Sequence, residues 1–308
     1  MLEEHTTVES QDCEPDPNTT QEGIFTPILE IDDDIRSIII QSLKEDIGTG
    51  DVTTLATIPE DMIGTAQVKV KETGVLCGAP LLIEVYRLIS DQLKIKSCVY
   101  EGQTIYEGKV IFQMEGPVRA ILTGERVALN ILGMMSGVAT STLEHVKAIQ
   151  HTPVKITDTR KTIPLHRKLQ KYAVRVGGGV NHRTGLYDMV LIKDNHIDSC
   201  GGIRQAVEAV RKRWGNQYPV EVETRNLKEV QEAVESGVDR IMLDNMDIDT
   251  MTQAVQLING RCETEASGGV TLHTVSFVAE TGVDYISLGV LTHSMRCLDF
   301  SLSIKRKV

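Results

Sequence analysis

The second half of the sequence, from Pro153 onward, repeats one pattern: a short apolar or β-branched run, a polar turn and an amphipathic helical stretch. Three successive runs end at Asp244, Ser267 and Gly289, about 22 residues apart, which is the span of a compact βα unit. Repetition of this kind predicts a parallel sheet with helices outside it. Six runs are clear and a seventh is weaker. We therefore predict an α/β fold whose main part is an incomplete parallel α/β barrel of about seven strands.

Residues 26–137 follow a different pattern. Short apolar runs separated by Gly and charged residues, with one helical stretch among them, indicate an N-terminal α+β sandwich domain built on an antiparallel sheet. The barrel domain is predicted at 138–292, and 293–308 is predicted to return to the first domain because Leu298 to Lys305 alternates apolar and polar residues like a strand. Gly133 and Gly137 interrupt a helical stretch and mark either a break or a close packing point.

Composition excludes several classes of function. Residues 1–25 hold seven acids and no Lys or Arg, which predicts a disordered acidic tail rather than a signal or transit peptide and favours a cytoplasmic location. The net charge of −11 argues against nucleic acid as a partner. No apolar run reaches the length of a membrane span. The six cysteines are scattered without a CxxC pair, so we expect no zinc site.

The main local anomaly is a concentration of cations between Asp158 and His196. This stretch holds eight Lys and Arg, three His and three Asp, a local charge of +5 in an acidic chain. A basic helix face is the ordinary explanation for such a run. Here Arg160, Lys161 and Lys193 follow predicted strands, and a Gly triplet lies between them, which favours a pocket for a small, multiply charged anion.

Polar residues follow every strand of the predicted barrel, at the end where such barrels carry function. Cations follow the first two strands and can bind carboxylates or phosphates. Carboxylates follow the middle two and can orient sugar hydroxyls or hold Mg²⁺ through water. Gly and Ser turns follow the last two and can present backbone N–H groups to a phosphate. Any one of these residues alone is more often a helix cap or a surface pair, so the prediction rests on their order by charge. They are Thr159, Arg160, Lys161, Lys193, Glu223, Asp244, Ser267, Gly268, Gly269, Ser287 and Gly289.

A set of long motifs resembles the quinolinate phosphoribosyltransferase family, the decarboxylating nicotinate-nucleotide pyrophosphorylases: GERVALN, TDTRKT, GGGVNHRTGLYD, LIKDNHI, EVET, IMLDNM, TEASGGV and ISLGVLTHS. The resemblance covers roughly Ile28 to Ile304. It implies an N-terminal α/β domain, an incomplete barrel of about seven strands, and homodimers or hexamers built of dimers. It also implies phosphoribosyl transfer from phosphoribosyl pyrophosphate (PRPP) to quinolinate with decarboxylation, a step of NAD biosynthesis that gives nicotinate mononucleotide, CO₂ and pyrophosphate.

The resemblance implies a role for each matching position. Lys161, Lys193, Glu223 and Asp244 are expected to be catalytic, and the two acids to hold Mg²⁺, the expected cofactor, only through water or PRPP. Arg126 is expected to reach into the site of a neighbouring subunit. The positions matching quinolinate-binding residues are Arg126, Arg160, Lys161, His182, Arg183 and Lys193. Those matching PRPP contacts are Thr159, Lys161, Lys193, Glu223, Asp244, Ser267, Gly268, Gly269, Ser287 and Gly289. The chain departs from the family at Leu165-His166, where many members have Gly-Leu, and we expect a changed loop with activity retained.

Two other functions stay open at this point. One is a phosphoribosyltransferase for nicotinate, a monocarboxylate, although Arg126, Arg160, His182 and Arg183 are more cations than one carboxylate needs. The other is a non-catalytic protein that only binds phosphorylated metabolites. That second possibility predicts the loss of Lys193, Glu223 or Asp244, and all three are present.

Overall fold

The computed structural model describes residues 27–307, so the predicted acidic tail at 1–25 lies outside the described residues. The chain divides into two compact units. The described part of unit 1 is 27–137 and 296–307, and unit 2 is Val138–Met295. Among the described residues, no helix combines the length and hydrophobicity that crossing a membrane requires.

From β6 onward, strands and helices alternate along the chain, as the sequence pattern predicted. The elements, in chain order, are α1 (Asp33–Ile47), α2 (Val52–Thr57), β1 (Ile63–Val70), β2 (Gly74–Val75), α3 (Ala79–Ile89), β3 (Lys94–Ser97), β4 (Thr104–Ile105), β5 (Val110–Pro117), α4 (Val118–Ala148), β6 (Lys155–Thr157), α5 (Arg167–Val176), β7 (Val190–Ile192), α6 (Asp194–Cys200), α7 (Ile203–Trp214), β8 (Val220–Thr224), α8 (Leu227–Glu235), β9 (Arg240–Asp244), α9 (Ile248–Ile258), β10 (Glu263–Ser267), α10 (Val275–Glu280), β11 (Tyr285–Ser287), α11 (Val290–His293) and β12 (Phe300–Arg306).

Unit 1 is built on an antiparallel sheet with the strand order β12-β1-β5-β3. Strand β12 pairs with β1 over seven residue pairs, from Gly64↔Arg306 to Val70↔Phe300, so the end of the chain does return to the first sheet. Helix α1 begins at Asp32, whose carboxylate accepts the Ile35 N–H at 3.1 Å, a typical N-cap contact. Helices α1 and α3 bury apolar side chains, which supply part of the core of this α+β unit.

Gly133 and Gly137 of helix α4 are close packing points and not a break. Helix α4 is continuous through both of them. A Cβ atom at Gly137 would lie 1.9 Å from the carbonyl oxygen of Arg296, and one at Gly133 would lie 2.7 Å from that of Leu298. The Leu298 N–H donates to the Gly133 carbonyl at 3.0 Å. Absence of a side chain therefore lets the strand-forming C-terminal segment of unit 1 lie against the helix backbone.

Unit 2 contains a six-stranded parallel sheet with the order β6-β11-β10-β9-β8-β7. Helices α6 to α9 pack against one another in sequence, as expected for a helical layer outside such a sheet. The predicted α/β barrel class is confirmed. The seventh strand is reduced to one bridge between Thr157 and Val180. Val180 directly follows three glycines and precedes the polar Asn181. Because glycine weakens the interior of a strand, this segment does not extend into a longer strand.

Candidate active site

The register of the parallel sheet brings the polar strand ends of unit 2 to one edge. Asp244, the last residue of β9, pairs with Ser267 of β10. Ser267 also pairs with Ser287 of β11, and Ser287 pairs with Thr157 of β6. Backbone pairing therefore places the ends of four strands side by side, as the spacing of the repeat predicted.

A lysine and a glutamate predicted to be catalytic are in contact. Glu223 is buried one residue before the end of β8, and Lys193 directly follows β7. Nζ of Lys193 donates to Oε2 of Glu223 at 3.2 Å. The backbone N–H of Lys193 donates to Nδ1 of His196 at 3.0 Å, which fixes the start of α6. The lysine side chain remains 47% exposed, so its ammonium group also faces solvent and can meet an anionic ligand.

The turn after β9 is locked to the glycine turn after β10. Asn245 has a left-handed backbone with φ of 54°, and its side-chain amide donates to Oδ2 of Asp244 at 2.8 Å. Its backbone N–H donates to the Ser267 carbonyl at 2.9 Å. A Cβ atom on Gly268 would lie 2.3 Å from Oδ1 of Asn245, so only glycine fits here. Gly268 and Gly269 both have positive φ, at 92° and 63°. The orientation of Asp244 therefore depends on Asn245, to which the sequence prediction assigned no role.

Two arginines of the site repel each other. Burial lowers the pKa of the Arg183 guanidinium, and the nearby charge of Arg160 lowers it further. Nε of Arg160 is buried and has no hydrogen-bond partner among the described residues. Nη1 of Arg183 donates to the Met189 carbonyl at 3.2 Å, which holds the side chain in place. Two neighbouring guanidinium groups, one with an unused buried donor, favour binding of an anion with more than one charge.

His182 faces inward, toward two carboxylates to which the sequence prediction assigned no role. Its Nε2 atom lies 2.9 Å from Oε2 of Glu221 and 3.4 Å from Oε2 of Glu265. Burial by itself lowers the pKa of the imidazole, but the two carboxylates outweigh burial and raise it to about 9. Nδ1 lies 2.8 Å from the Arg183 N–H, which it accepts when the ring is neutral. In this structure both ring nitrogens thus face protein atoms.

Lys161 lies against the last glycine turn. Its backbone N–H donates to Oγ1 of Thr159 at 3.0 Å, and its carbonyl accepts the Thr292 hydroxyl at 2.7 Å. A Cβ atom on Gly289 would lie 3.0 Å from Cδ of Lys161. The structure thereby brings together the cationic turn after β6 and the glycine turn after β11.

Arg126 is the one predicted site residue that belongs to the other compact unit. It lies on α4 and is exposed. Its predicted role across a subunit interface therefore remains a prediction.

A buried ion pair between Lys171 and Asp158 fixes the backbone near the cationic turns. Nζ of Lys171, on α5, contacts Oδ1 of Asp158 and donates to the His182 carbonyl at 2.9 Å. The second oxygen of Asp158 accepts the Asn181 amide at 2.5 Å, and Oδ1 also accepts the His182 N–H at 3.0 Å. Lys171 is one of the eight cations between Asp158 and His196 whose concentration favoured an anion pocket, but its ammonium group pairs with a carboxylate of the protein. Lys171 neutralises Asp158 and fixes the backbone of the His182 turn.

Replacing Lys171 by Met is expected to lower the free energy of unfolding by about 3–5 kcal/mol, because the change leaves a buried carboxylate without its partner. Adding Asp158→Asn should recover part of that loss, since the double variant has no unpaired charge. Urea unfolding followed by circular dichroism measures both effects. The control is Lys212→Met on the exposed face of α7. If Lys171→Met and Lys212→Met unfold at the same urea concentration, the ion pair does not support the fold.

The fold and the side chains at the carboxyl edge of the parallel sheet define a class of protein. A parallel α/β barrel that gathers paired guanidiniums, a lysine–glutamate pair and glycine turns at the carboxyl ends of its strands is an enzyme scaffold for small, multiply charged anions. Comparison with known proteins narrows that class. The chain belongs to the quinolinate phosphoribosyltransferase family.

That membership rests on both units. The model of the quinolinate phosphoribosyl transferase N-terminal domain matches residues 51–136, and that of the C-terminal domain matches 138–303. A probable nicotinate-nucleotide pyrophosphorylase (carboxylating) of Bacillus subtilis is 41% identical over 270 residues, 88% of this chain and 93% of the relative. The chloroplastic nicotinate-nucleotide pyrophosphorylase (carboxylating) of Arabidopsis thaliana is 44% identical over 290 residues, 88% of this chain and 83% of the relative. The crystal structure of NadC from Streptococcus pyogenes superimposes with a TM-score of 0.88 at 37% identity, covering 92% of this chain and all of that one.

Proposed function

We infer that this chain transfers the phosphoribosyl group of PRPP to quinolinate with loss of CO₂, giving nicotinate mononucleotide and pyrophosphate for NAD biosynthesis. The observation that carries this inference is the pair formed by Arg160 and Arg183, within a family named for quinolinate. Quinolinate carries two adjacent carboxylates, and two neighbouring guanidiniums match that charge. A nicotinate-specific enzyme has only one carboxylate to bind, so the monocarboxylate alternative is not favoured.

In the mechanism that we propose, the two arginines hold quinolinate so that its ring nitrogen faces C1 of the ribose. The nitrogen–C1 bond forms as the bond from C1 to pyrophosphate breaks, and the electron pair of that bond leaves with the pyrophosphate. Lys161 and Lys193 lie on turns that can contact both anionic substrates. Fixed charges that need no reorganisation during the reaction supply most of the rate acceleration in such a site.

Glu223 and Asp244 are proposed to orient the ribose and to stabilise the positive charge that develops at C1. Their carboxylate oxygens are also the donors that Mg²⁺ prefers, and Asp244 is held in a defined orientation by Asn245. These acids would hold Mg²⁺ through water or through PRPP. When bound, the ion supplies positive charge beside the leaving pyrophosphate. The remaining PRPP contacts are proposed to be Thr159, Ser267, Gly268, Gly269, Ser287 and Gly289.

Decarboxylation follows from the charge of the product ring. Once its nitrogen is bonded to the ribose, the ring is cationic. The bond between C2 and its carboxylate can then break, CO₂ leaves, and the electron pair stays on C2 beside the positive nitrogen. C2 afterwards takes a proton from solvent. This step needs no covalent intermediate with a side chain.

The proposed function is tested by incubating the full chain with PRPP and Mg²⁺ and with either quinolinate or nicotinate. We expect nicotinate mononucleotide from quinolinate and none from nicotinate. Product from nicotinate alone would mean that the pocket takes one carboxylate. No product from either substrate, with tight binding of both, would favour the non-catalytic alternative.

Arg126 is proposed to complete the site of a neighbouring subunit in a homodimer or a trimer of dimers. The variants Arg126→Ala and Lys193→Met are each expected to be inactive. Mixed by co-refolding in equal amounts, they should regain about a quarter of the wild-type activity, because half of the dimers are mixed and each mixed dimer has one intact site. If Arg126 serves its own subunit, no mixed site is intact and the activity stays at zero.

A cytoplasmic location is a further part of the proposal. Fractionation of cells that express the chain, followed by immunoblotting, would test it.

A further inference from the structure

Two buried glutamates of unit 2 each lie two residues before a residue of the proposed site on the same strand. Glu221 precedes Glu223 by two residues on β8, and Glu265 precedes Ser267 by two on β10. Residues two apart on a strand face the same side of the sheet, so both acids lie beneath residues of the proposed site. Each is fully buried, with an exposed fraction of 0%. The proposed mechanism uses neither of them.

The described residues leave these two acids poorly hydrogen-bonded. Both oxygens of Glu221 and Oε1 of Glu265 have no hydrogen-bond partner in the described part of the chain. Oε2 of Glu265 accepts from Nη1 of Arg240 at 3.2 Å. The contacts to Nε2 of His182, at 2.9 and 3.4 Å, are close charge contacts rather than aligned hydrogen bonds. Burying a carboxylate without hydrogen bonds is costly unless a positive charge compensates for it.

The cluster around His182 is neutral when it holds one proton, on His182 or on Glu221, which are in contact. Glu221 and Glu265 contribute two negative charges when both are ionised and Arg240 one positive charge, so a neutral imidazole leaves either one buried negative charge or a protonated Glu221. Burial and the charge of Glu265 raise the pKa of Glu221, while the two carboxylates raise the pKa of His182 to about 9. The remaining charged neighbours are Asp158 and Lys171, which neutralise each other and contact only the backbone of His182. Arg183 is next in the chain, and burial is the effect that the two carboxylates outweigh in raising the pKa of His182.

We propose that Glu221 and Glu265 are positioning residues for quinolinate, which touch no substrate and act by keeping His182 cationic beside Arg183. This inference rests on the proposed function. A doubly protonated ring adds a positive charge next to the dicarboxylate pocket. Protonation of Nδ1 also ends its acceptance of the Arg183 N–H at 2.8 Å, so the ring or the Arg183 backbone must shift when His182 becomes cationic. Binding of the quinolinate dianion therefore depends on Glu221 and Glu265, which lie beneath the proposed site.

The test uses Glu221→Gln and Glu265→Gln, which keep the shape of the side chain and remove its charge. The control is Glu235→Gln, which removes a carboxylate of unit 2 whose partner, Arg204, lies outside the cluster around His182. We expect each buried variant to raise the KM for quinolinate about tenfold at a pH one unit above the lowered pKa of its His182, because only about one ring in ten is protonated there. The KM for PRPP and the melting temperature should stay close to wild type, because no PRPP contact changes and the shape of the core is kept.

A second measurement does not depend on turnover or on the variants. Imidazole ¹⁵N NMR of the wild-type chain, with His182 assigned by His182→Gln, should show a titration near pH 9, the value that the two carboxylates support. In Glu221→Gln the titration should move to lower pH. A wild-type titration near the unperturbed value of about 6.5 would overturn the proposal.

Two further results would also overturn it. One is an unchanged KM for quinolinate in both folded variants. The other is a stoichiometric divalent metal in the purified wild-type chain that is lost in Glu221→Gln, since His182, Glu221 and Glu265 would then be metal ligands. If wild-type protein does not use quinolinate at all, the proposed function fails, and the NMR titration still decides the charge of His182.

Discussion

Replacing Arg160 by Leu is expected to lower kcat/KM for quinolinate by about a thousandfold. Removing one partner of a buried, hydrogen-bonded charge pair costs about 2–5 kcal/mol, and about 4 kcal/mol corresponds to three orders of magnitude. Nε of Arg160 is already buried without a partner among the described residues, so a bound carboxylate gains a donor that is desolvated in advance. The loss should appear mainly in the KM for quinolinate, because Arg160 contacts the substrate in the ground state as well as in the transition state.

Steady-state kinetics with quinolinate varied at saturating PRPP measures this effect. The matched control is Arg175→Leu, which removes an exposed arginine from the end of α5 and should leave kcat/KM unchanged. A fall of less than about tenfold in Arg160→Leu would mean that the arginine pair does not bind a carboxylate of the substrate.

Replacing Glu223 by Gln is expected to lower kcat by about 10²–10³, with little change in the KM for quinolinate. A group that stabilises developing charge contributes in the transition state and not in the ground state, and loss of one such group costs about this much. Glu223 is buried and its Oε2 accepts from Lys193 at 3.2 Å. Gln preserves that acceptor but not the negative charge that faces the ribose.

Single-turnover kinetics separates the chemical step from product release in this variant. Glu208→Gln, on the exposed side of α7, is the control and should behave as wild type. An unchanged single-turnover rate in Glu223→Gln would remove this residue from the catalytic step and leave Asp244 as the acid that acts on the ribose.

The sequence predicted the parts of the fold that depend on periodicity. The βα repeat gave the order of strands and helices in unit 2, and the alternation at 293–308 gave the return of β12 to β1. The strand-end residues were predictable for the same reason, since the register places Asp244, Ser267 and Ser287 at one edge.

The parts that the sequence missed depend on burial. The sequence of β8, VEVET, alternates apolar and acidic residues, yet all five residues are buried. Glu221 and Glu223 face the same side of the sheet, so the alternation could not show that Glu221 is buried beneath the site. Lys171 could not be told from a pocket lysine because its partner, Asp158, lies 13 residues away on another element. In both cases the residue type was visible and the neighbour that decides its role was not.

At Leu165 the sequence departs from the family pattern, and the structure shows the backbone conformation of that position. The sequence has Leu where many members have Gly, and the residue keeps a left-handed backbone with φ of 67° while its side chain is 82% exposed. A non-glycine residue in this region costs about 1–2 kcal/mol. The loop thus retains a conformation that suits glycine, and the expectation that activity is retained stays a prediction.

The most direct measurement of the central claim follows the two carboxylates of quinolinate separately. With PRPP and Mg²⁺, quinolinate labelled with ¹⁴C in its 2-carboxylate should release labelled CO₂ in a one-to-one ratio with nicotinate mononucleotide. Label in the 3-carboxylate should remain entirely in the nucleotide. Nucleotide formed without release of the 2-carboxylate, or CO₂ released without PRPP, would contradict a phosphoribosyl transfer that drives decarboxylation in this chain.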